Sequence, residues 1–171
     1  MKGVERRVDK ILHIIGLYNS LHPEDEEMRV LYGHVDTSKI ENFRNYPYEY
    51  QYFLQKIGWL KFCPGYEGLR VFPSPVILKD LDSIHDDELT WLYNELGCAG
   101  KETVADWARN KNITDHVLVA EDPCSYIYLA FNSNSSPYTA IDILHNSYDS
   151  FLDMVEGQLE YVYQDVGYYK K

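Results

Sequence analysis

The periodicity of the chain changes at Gly58, and neither an all-helical nor an all-strand fold can hold both sides of that change. Upstream, Tyr50, Phe53, Leu54 and Ile57 recur at i, i+3, i+4 and i+7, the apolar stripe of a helix. Pro47 suits the first turn of that helix, where a missing N–H costs nothing. Gly58 ends it, as glycine commonly does just past a C-terminus. Downstream, Trp59-Leu60-Lys61-Phe62 and Leu69-Arg70-Val71-Phe72 flank a turn-rich Pro64-Gly65-Tyr66-Glu67-Gly68 and read as a hairpin of two short strands. Pro73 and Pro75 are expected to close that unit, because neither can donate to a sheet ladder.

The flanking segments extend this alternation. Val4, Val8, Ile11, Leu12 and Ile15 give residues 4–18 one buried helical face, after which Pro23 and the acids of 24–27 read as a solvated loop or a first helical turn. Ser38 and Glu41 stand at capping-box spacing ahead of Ile40 and Phe43, which predicts a short helix. A longer helix is expected from Ser83, with Asp86 at capping spacing and Leu89, Leu92, Tyr93 and Leu96 on one face, and a short one over 102–110. Residues 116–120, 125–131 and 138–143 read as three strands of a meander. A last helix begins near Tyr148, with Phe151, Leu152, Val155, Leu159 and Val162 as its stripe despite Gly157. The expected fold is one α+β domain over residues 1–171. Its central sheet is mostly antiparallel, with about five to six strands, and helices pack at both ends of the chain.

Charge narrows the function. With 27 acidic against 16 basic residues the chain carries a net charge of −11, and its only close basic clusters are Arg6-Arg7 and Lys170-Lys171. Direct nucleic-acid binding lacks the counterion release that drives it, whereas a basic protein partner would be steered in. The N-terminal apolar residues are interrupted by Asp9, Lys10 and His13 with no small-residue cleavage site after them, so no signal peptide is read. No run approaches the roughly 20 apolar residues of a membrane span. Cys63, Cys98 and Cys124 are odd in number and lack a C-x-x-C pair, which fits a reducing, cytoplasmic setting.

Motifs for chemistry are absent. Neither phosphate-loop pattern occurs, and His13, His22, His34, His85, His116 and His145 never fall one helical turn apart. His34 and Asp36 would share one side of a strand, but a metal site needs three or four ligands. No G-x-S-x-G and no cysteine-protease context is present. The expectation is a non-enzymatic protein with no cofactor and no metal, acting as a monomer or weak homo-oligomer. Its 16 tyrosines are the remaining anomaly, four of them at alternate positions 46–52. A helix cannot bury every second residue, so Tyr48 and Tyr52 are expected to lie away from the stripe as exposed contacts. Asp80, Asp82, Asp86, Asp87, Glu88, Glu121 and Asp122 are the acidic partner-binding candidates.

Ile40-Glu41-Asn42-Phe43 followed by residues 46–58 resembles the N-terminal signature of the SUKH superfamily, which includes fungal regulators of cell-wall glucan synthesis and bacterial immunity proteins. Pro47, Tyr50, Phe53, Leu54 and Gly58 occupy the signature positions, while Tyr46 replaces the usual leucine and Ile57 the usual asparagine. Residues 117–122, 126–131 and 138–143 are similar to the family's central strands, and Ser150-Phe151 to its closing "S-F" helix. The resemblance covers residues 38–157; the first helix and an insertion at 79–115 depart from compact members. It implies an α+β scaffold that binds a protein, in bacteria a cytoplasmic antidote to a toxin, often a nuclease. A regulatory scaffold for endogenous partners, and a hydrolase assembled from distant His, Cys and acidic residues, are the alternatives.

Overall fold

The computed structural model describes residues 2–25, 27–62, 68–77, 109, 116–122, 127–132, 140–141 and 147–168. Among them the chain runs through α1 (Lys2–Leu21), β1 (Val30–Gly33), two 3-10 turns (Thr37–Lys39 and Phe43–Asn45) and α2 (Tyr48–Lys56). It continues through β2 (Trp59–Phe62), β3 (Arg70–Ile77), β4 (His116–Asp122), β5 (Ile127–Asn132), β6 (Ala140–Ile141), β7 (Ser147–Tyr148), α3 (Phe151–Gln158) and α4 (Glu160–Asp165). The strands form one sheet in sequence order, each antiparallel to the next. The α+β class and the antiparallel meander are as expected. Among the described residues the sheet has seven strands, so the expected five to six is not confirmed. Four-residue β1 and two-residue β7 are too short to display a period of two. The helices expected over 83–96 and 102–110 lie outside the described residues, Arg109 excepted.

The helices bury the predicted stripes. Val8, Ile11, Ile14, Ile15 and Tyr18 of α1, Tyr50, Phe53 and Leu54 of α2, and Phe151, Leu152, Met154 and Val155 of α3 meet Val30, Leu60, Phe62 and Val71 of the sheet, and Leu69 just ahead of β3, in one core. Phe151 sits edge-on to both Tyr50 and Phe53, with ring centroids 5.1 and 5.2 Å apart. Ser150 caps α3 by accepting from the Asp153 N–H at 3.1 Å. The stripe of the last helix is continuous, but the helix breaks at Leu159 into α3 and α4.

Two local expectations are corrected. The capping box at Ser38 and Glu41 does not form, because Asp36 takes the cap first: its Oδ1 accepts the Ser38 N–H at 3.2 Å and the Ser38 hydroxyl at 2.6 Å, and a 3-10 turn results. Nor do the prolines close the hairpin. β3 runs through Pro73 and Pro75 to Ile77, and its pairing with β4 lapses between Val71 and Val76, a five-residue step opposite the two-residue step from Ala120 to Leu118. Both prolines fall in that irregularity, where no ladder N–H is required of them.

Edge strand β1 is tied to α1. Asn19 accepts the Val30 N–H at 2.8 Å and donates to the Val30 carbonyl at 2.9 Å, so a side-chain amide occupies backbone groups that an edge strand otherwise offers to other chains. The turn from α2 into β2 is tighter still. Gly58 adopts φ 84°, and a Cβ there would run into the Gly33 carbonyl. Gly58→Ala should therefore lower stability by about 2–3 kcal/mol, through the left-handed backbone and the collision together. Gly157→Ala, inside α3 with only the Tyr148 ring at 3.7 Å, should raise it by about 0.5–1 kcal/mol. Urea midpoints of the two variants, moving in opposite directions, check both.

Candidate functional site

Pleating sorts β1, β2 and β3 onto two faces. Leu60, Phe62 and Val71 point into the core, so Leu31, Lys61 and Arg70, successive Cα partners across the three strands, lie on the opposite face with Trp59. Leu31, His34, Trp59, Lys61, Arg70 and Pro73 line a groove there of about 560 Å³, within the ~300–1,000 Å³ usual for ligand sites. Its floor is built on glycine. The Trp59 indole lies over Gly33, its Cα partner, so closely that a Cβ on Gly33 would come within 2.5 Å of Nε1. The ring is thereby fixed against backbone. Leu31 is 37% exposed beside it. Lys61 and Arg70 are Cα partners here, and Glu121 is the next Cα partner beyond Arg70.

No family model matches the chain, and comparison with curated proteins and with solved structures finds no similar one.

Of the acidic candidates, Glu121 is the Cα partner of Arg70 and so continues the row from Leu31 through Lys61, while Asp122 ends β4 opposite Ile127. Asp80, Asp82, Asp86, Asp87 and Glu88 lie outside the described residues. Tyr48 is exposed as expected, but its hydroxyl donates to Glu5 at 2.9 Å. Tyr52 is half-buried against the core and stands 6.0 Å from the Tyr48 ring, contrary to the expectation of an exposed contact. One turn of helix separates the pair, so Tyr52 leans back toward the core margin that its neighbour Phe53 defines. The structure therefore splits the candidates: Tyr48 and Tyr52 lie on α2, whereas Glu121 belongs by register to the row of groove residues.

The other gathering of charge is a clasp between helices. Arg7 of α1 reaches Asp153 Oδ1 at 2.6 Å and Glu156 Oε2 at 2.9 Å on α3, which satisfies a buried Glu156. Glu49 of α2 accepts the Phe151 N–H at 2.6 Å, a carboxylate on the N-terminus of α3. Asp36 and His34 follow β1 rather than share a strand face; Asp36 is engaged by Ser38, whose two hydrogen bonds hold its carboxyl below the usual range. Among the described residues no group of three His, Cys, Asp or Glu is placed to hold a metal ion. Cys63, Cys98 and Cys124 fall outside those residues.

The sequence pattern marks Trp59, Lys61 and Arg70 only as strand residues. Alternation already put Trp59 and Lys61 on one face, but the pairing with Leu31 and the bare backbone of Gly33 arise from a strand the sequence pattern does not reveal.

Burial pushes the Glu49 carboxyl above its ordinary value of 4.5, against the opposing pull of the Phe151 and Leu152 N–H groups and of Arg7. A carboxyl raised on folding contributes stability below its unfolded pKa, and that contribution is lost as pH rises through the folded value. From about pH 4 to about pH 7, the urea midpoint of the wild type should fall relative to Glu49→Gln, whose amide does not titrate. A pH-independent difference between the two proteins contradicts this assignment.

Proposed function

We propose that the chain is a non-enzymatic protein-binding domain of SUKH type: a cytoplasmic immunity protein that neutralises a cognate toxin by stoichiometric binding. The observation that supports this reading is the meeting of the two segments on which the resemblance rests. Pro47 precedes α2, Tyr50, Phe53 and Leu54 are buried, and Gly58 takes the left-handed conformation that a helix-ending position requires. Ser150 then caps α3, and Phe151 enters the aromatic cluster made by Tyr50 and Phe53. Each quoted residue thus has a scaffold role, which leaves binding to the surface. The net charge of −11 would steer a basic partner such as a nuclease toxin, with Asp80, Asp82, Asp86, Asp87, Glu88, Glu121 and Asp122 as the surface it meets.

A regulatory scaffold acting on endogenous proteins is the second reading. The groove beside Trp59 and the exposed Leu31 favours it, as an apolar surface suited to a protein contact.

Co-expression with the toxin encoded by an adjacent reading frame should restore growth. Reversing Asp86, Asp87 and Glu88 to lysine should weaken that complex and flatten its salt dependence. Cells left unprotected by the wild-type chain refute the immunity reading, and pull-downs returning only housekeeping proteins favour the scaffold.

A further inference from the structure

We infer that the polar cleft between the 36–46 loop and α2 holds an extended segment of a partner protein by its main chain, with the carboxamides of Asn45 and Gln55 as the reading groups. The inference rests on the reading of the chain as a protein-binding domain but not on the partner being a toxin.

The cleft, of about 730 Å³, is lined by Thr37, Phe43, Arg44 and Asn45 of the loop and by Gln51 and Gln55 of α2. Its rim is set before any ligand arrives. Ile40 and Tyr46 are buried, and the Gln51 side-chain amide donates to the Arg44 and Tyr46 carbonyls. Asn42 turns the loop at φ 53°, a left-handed conformation that asparagine adopts more readily than most residues. A cleft shaped in advance has less freedom to lose on binding.

Other polar side chains at the cleft are uncommitted. Among the described residues, the side chains of Thr37, Arg44, Asn45 and Gln55 make no hydrogen bond or ion pair. Each carboxamide offers a donor and an acceptor together, the complement of the N–H and C=O of a main-chain residue. The molecule contains this pairing already: Asn19 accepts the Val30 N–H at 2.8 Å and donates to the Val30 carbonyl at 2.9 Å. Asn45 and Gln55 are equipped to do for an incoming residue what Asn19 does for Val30. The Arg44 guanidinium, a donor only, suits a further carbonyl oxygen.

Charge argues against an ionic ligand. Over residues 36–45, Asp36 and Glu41 balance Lys39 and Arg44, and Lys39 stands 3.6 Å from the Asp36 carboxylate. Recognition therefore runs through hydrogen bonds to neutral groups, and a main chain supplies these whatever its side chains. A sugar also presents neutral hydrogen-bonding groups, but Phe43, the aromatic residue at the cleft, is half-buried against the core and not set out as a stacking platform.

Three probes test the inference, each titrated into the nitrogen-15-labelled full chain: the neutral peptide acetyl-Ala-Ser-Val-Ser-Ala-amide, the same peptide N-methylated at its central residues, and maltotetraose. The peptide should shift the side-chain amide resonances of Asn45 and Gln55, assigned with Asn45→Ala and Gln55→Ala, with a dissociation constant on the order of 1–10 mM. N-methylation removes N–H donors and leaves the carbonyls, and should weaken binding by about fivefold or more. Raising sodium chloride from about 50 to about 500 mM should leave the affinity within about twofold. The double variant Asn45→Ala, Gln55→Ala should lose about tenfold or more. Both positions are exposed, so its urea midpoint should stay at the wild-type value. Should that variant fail to fold, the shift map on the wild type still decides. Equal affinities for the two peptides, stronger shifts of the same resonances by maltotetraose, a steep salt dependence, shifts confined to other residues, or none at about 20 mM peptide would each overturn the site. Failure of toxin neutralisation with the peptide map intact removes the immunity reading and leaves the cleft standing; the reverse pattern removes the cleft alone.

Discussion

Two backbones that leave no room for a side chain join the helical layer to the sheet. Gly58 ends α2 with φ 84° and passes so close to Gly33 that even a methyl group would strike the Gly33 carbonyl. Gly33 in turn lies beneath the Trp59 indole. The consequences spread from this point. The end of α2 sets where β2 begins, β2 sets the register of β1 and β3, and that register brings Leu31, Lys61 and Arg70 into one row. A larger residue at Gly58 meets the backbone of Gly33 and one at Gly33 meets the Trp59 indole, so the same constraint serves the fold and the surface.

The helical side is held by a different set of forces. Phe151 packs edge-on between Tyr50 and Phe53, and truncating a buried aromatic of this kind typically costs about 3–5 kcal/mol. Arg7 adds charge-assisted bonds to Asp153 and Glu156, and Lys10 lies 4.2 Å from the centroid of the Tyr168 ring, which draws the end of α4 onto α1. The charged groups around α1, α2 and α3 are thus employed in holding helices together.

Much of this was legible in the sequence where a segment repeats its period often enough. The stripes of α1, α2 and α3 and the switch at Gly58 belong to that class. β1 was not legible, because four residues after an acidic loop carry too little pattern, and its edge is completed by Asn19 from another element. The prolines misled because the rule that they end strands assumes a regular ladder, whereas β3 places them in an irregularity. Asp36 misled in the same way, since it reaches Ser38 before any capping box with Glu41 can form. The groove lay beyond sequence reasoning because its residues come from strands separated along the chain, and only pairing register shows which side chains become neighbours. The SUKH resemblance pointed to residues that prove to be packing and turn positions, which explains why it speaks to the scaffold more than to the contact surface.

The central claim is that this chain acts by binding a protein one to one and not by turnover. Isothermal titration of the chain against a candidate toxin from a neighbouring reading frame, with recovery of that toxin afterwards, measures this most directly. The account predicts saturation at one equivalent and release of intact, active toxin on dissociation of the complex. Inactivation of excess toxin by substoichiometric amounts of the chain, or the absence of any saturable complex, would contradict it.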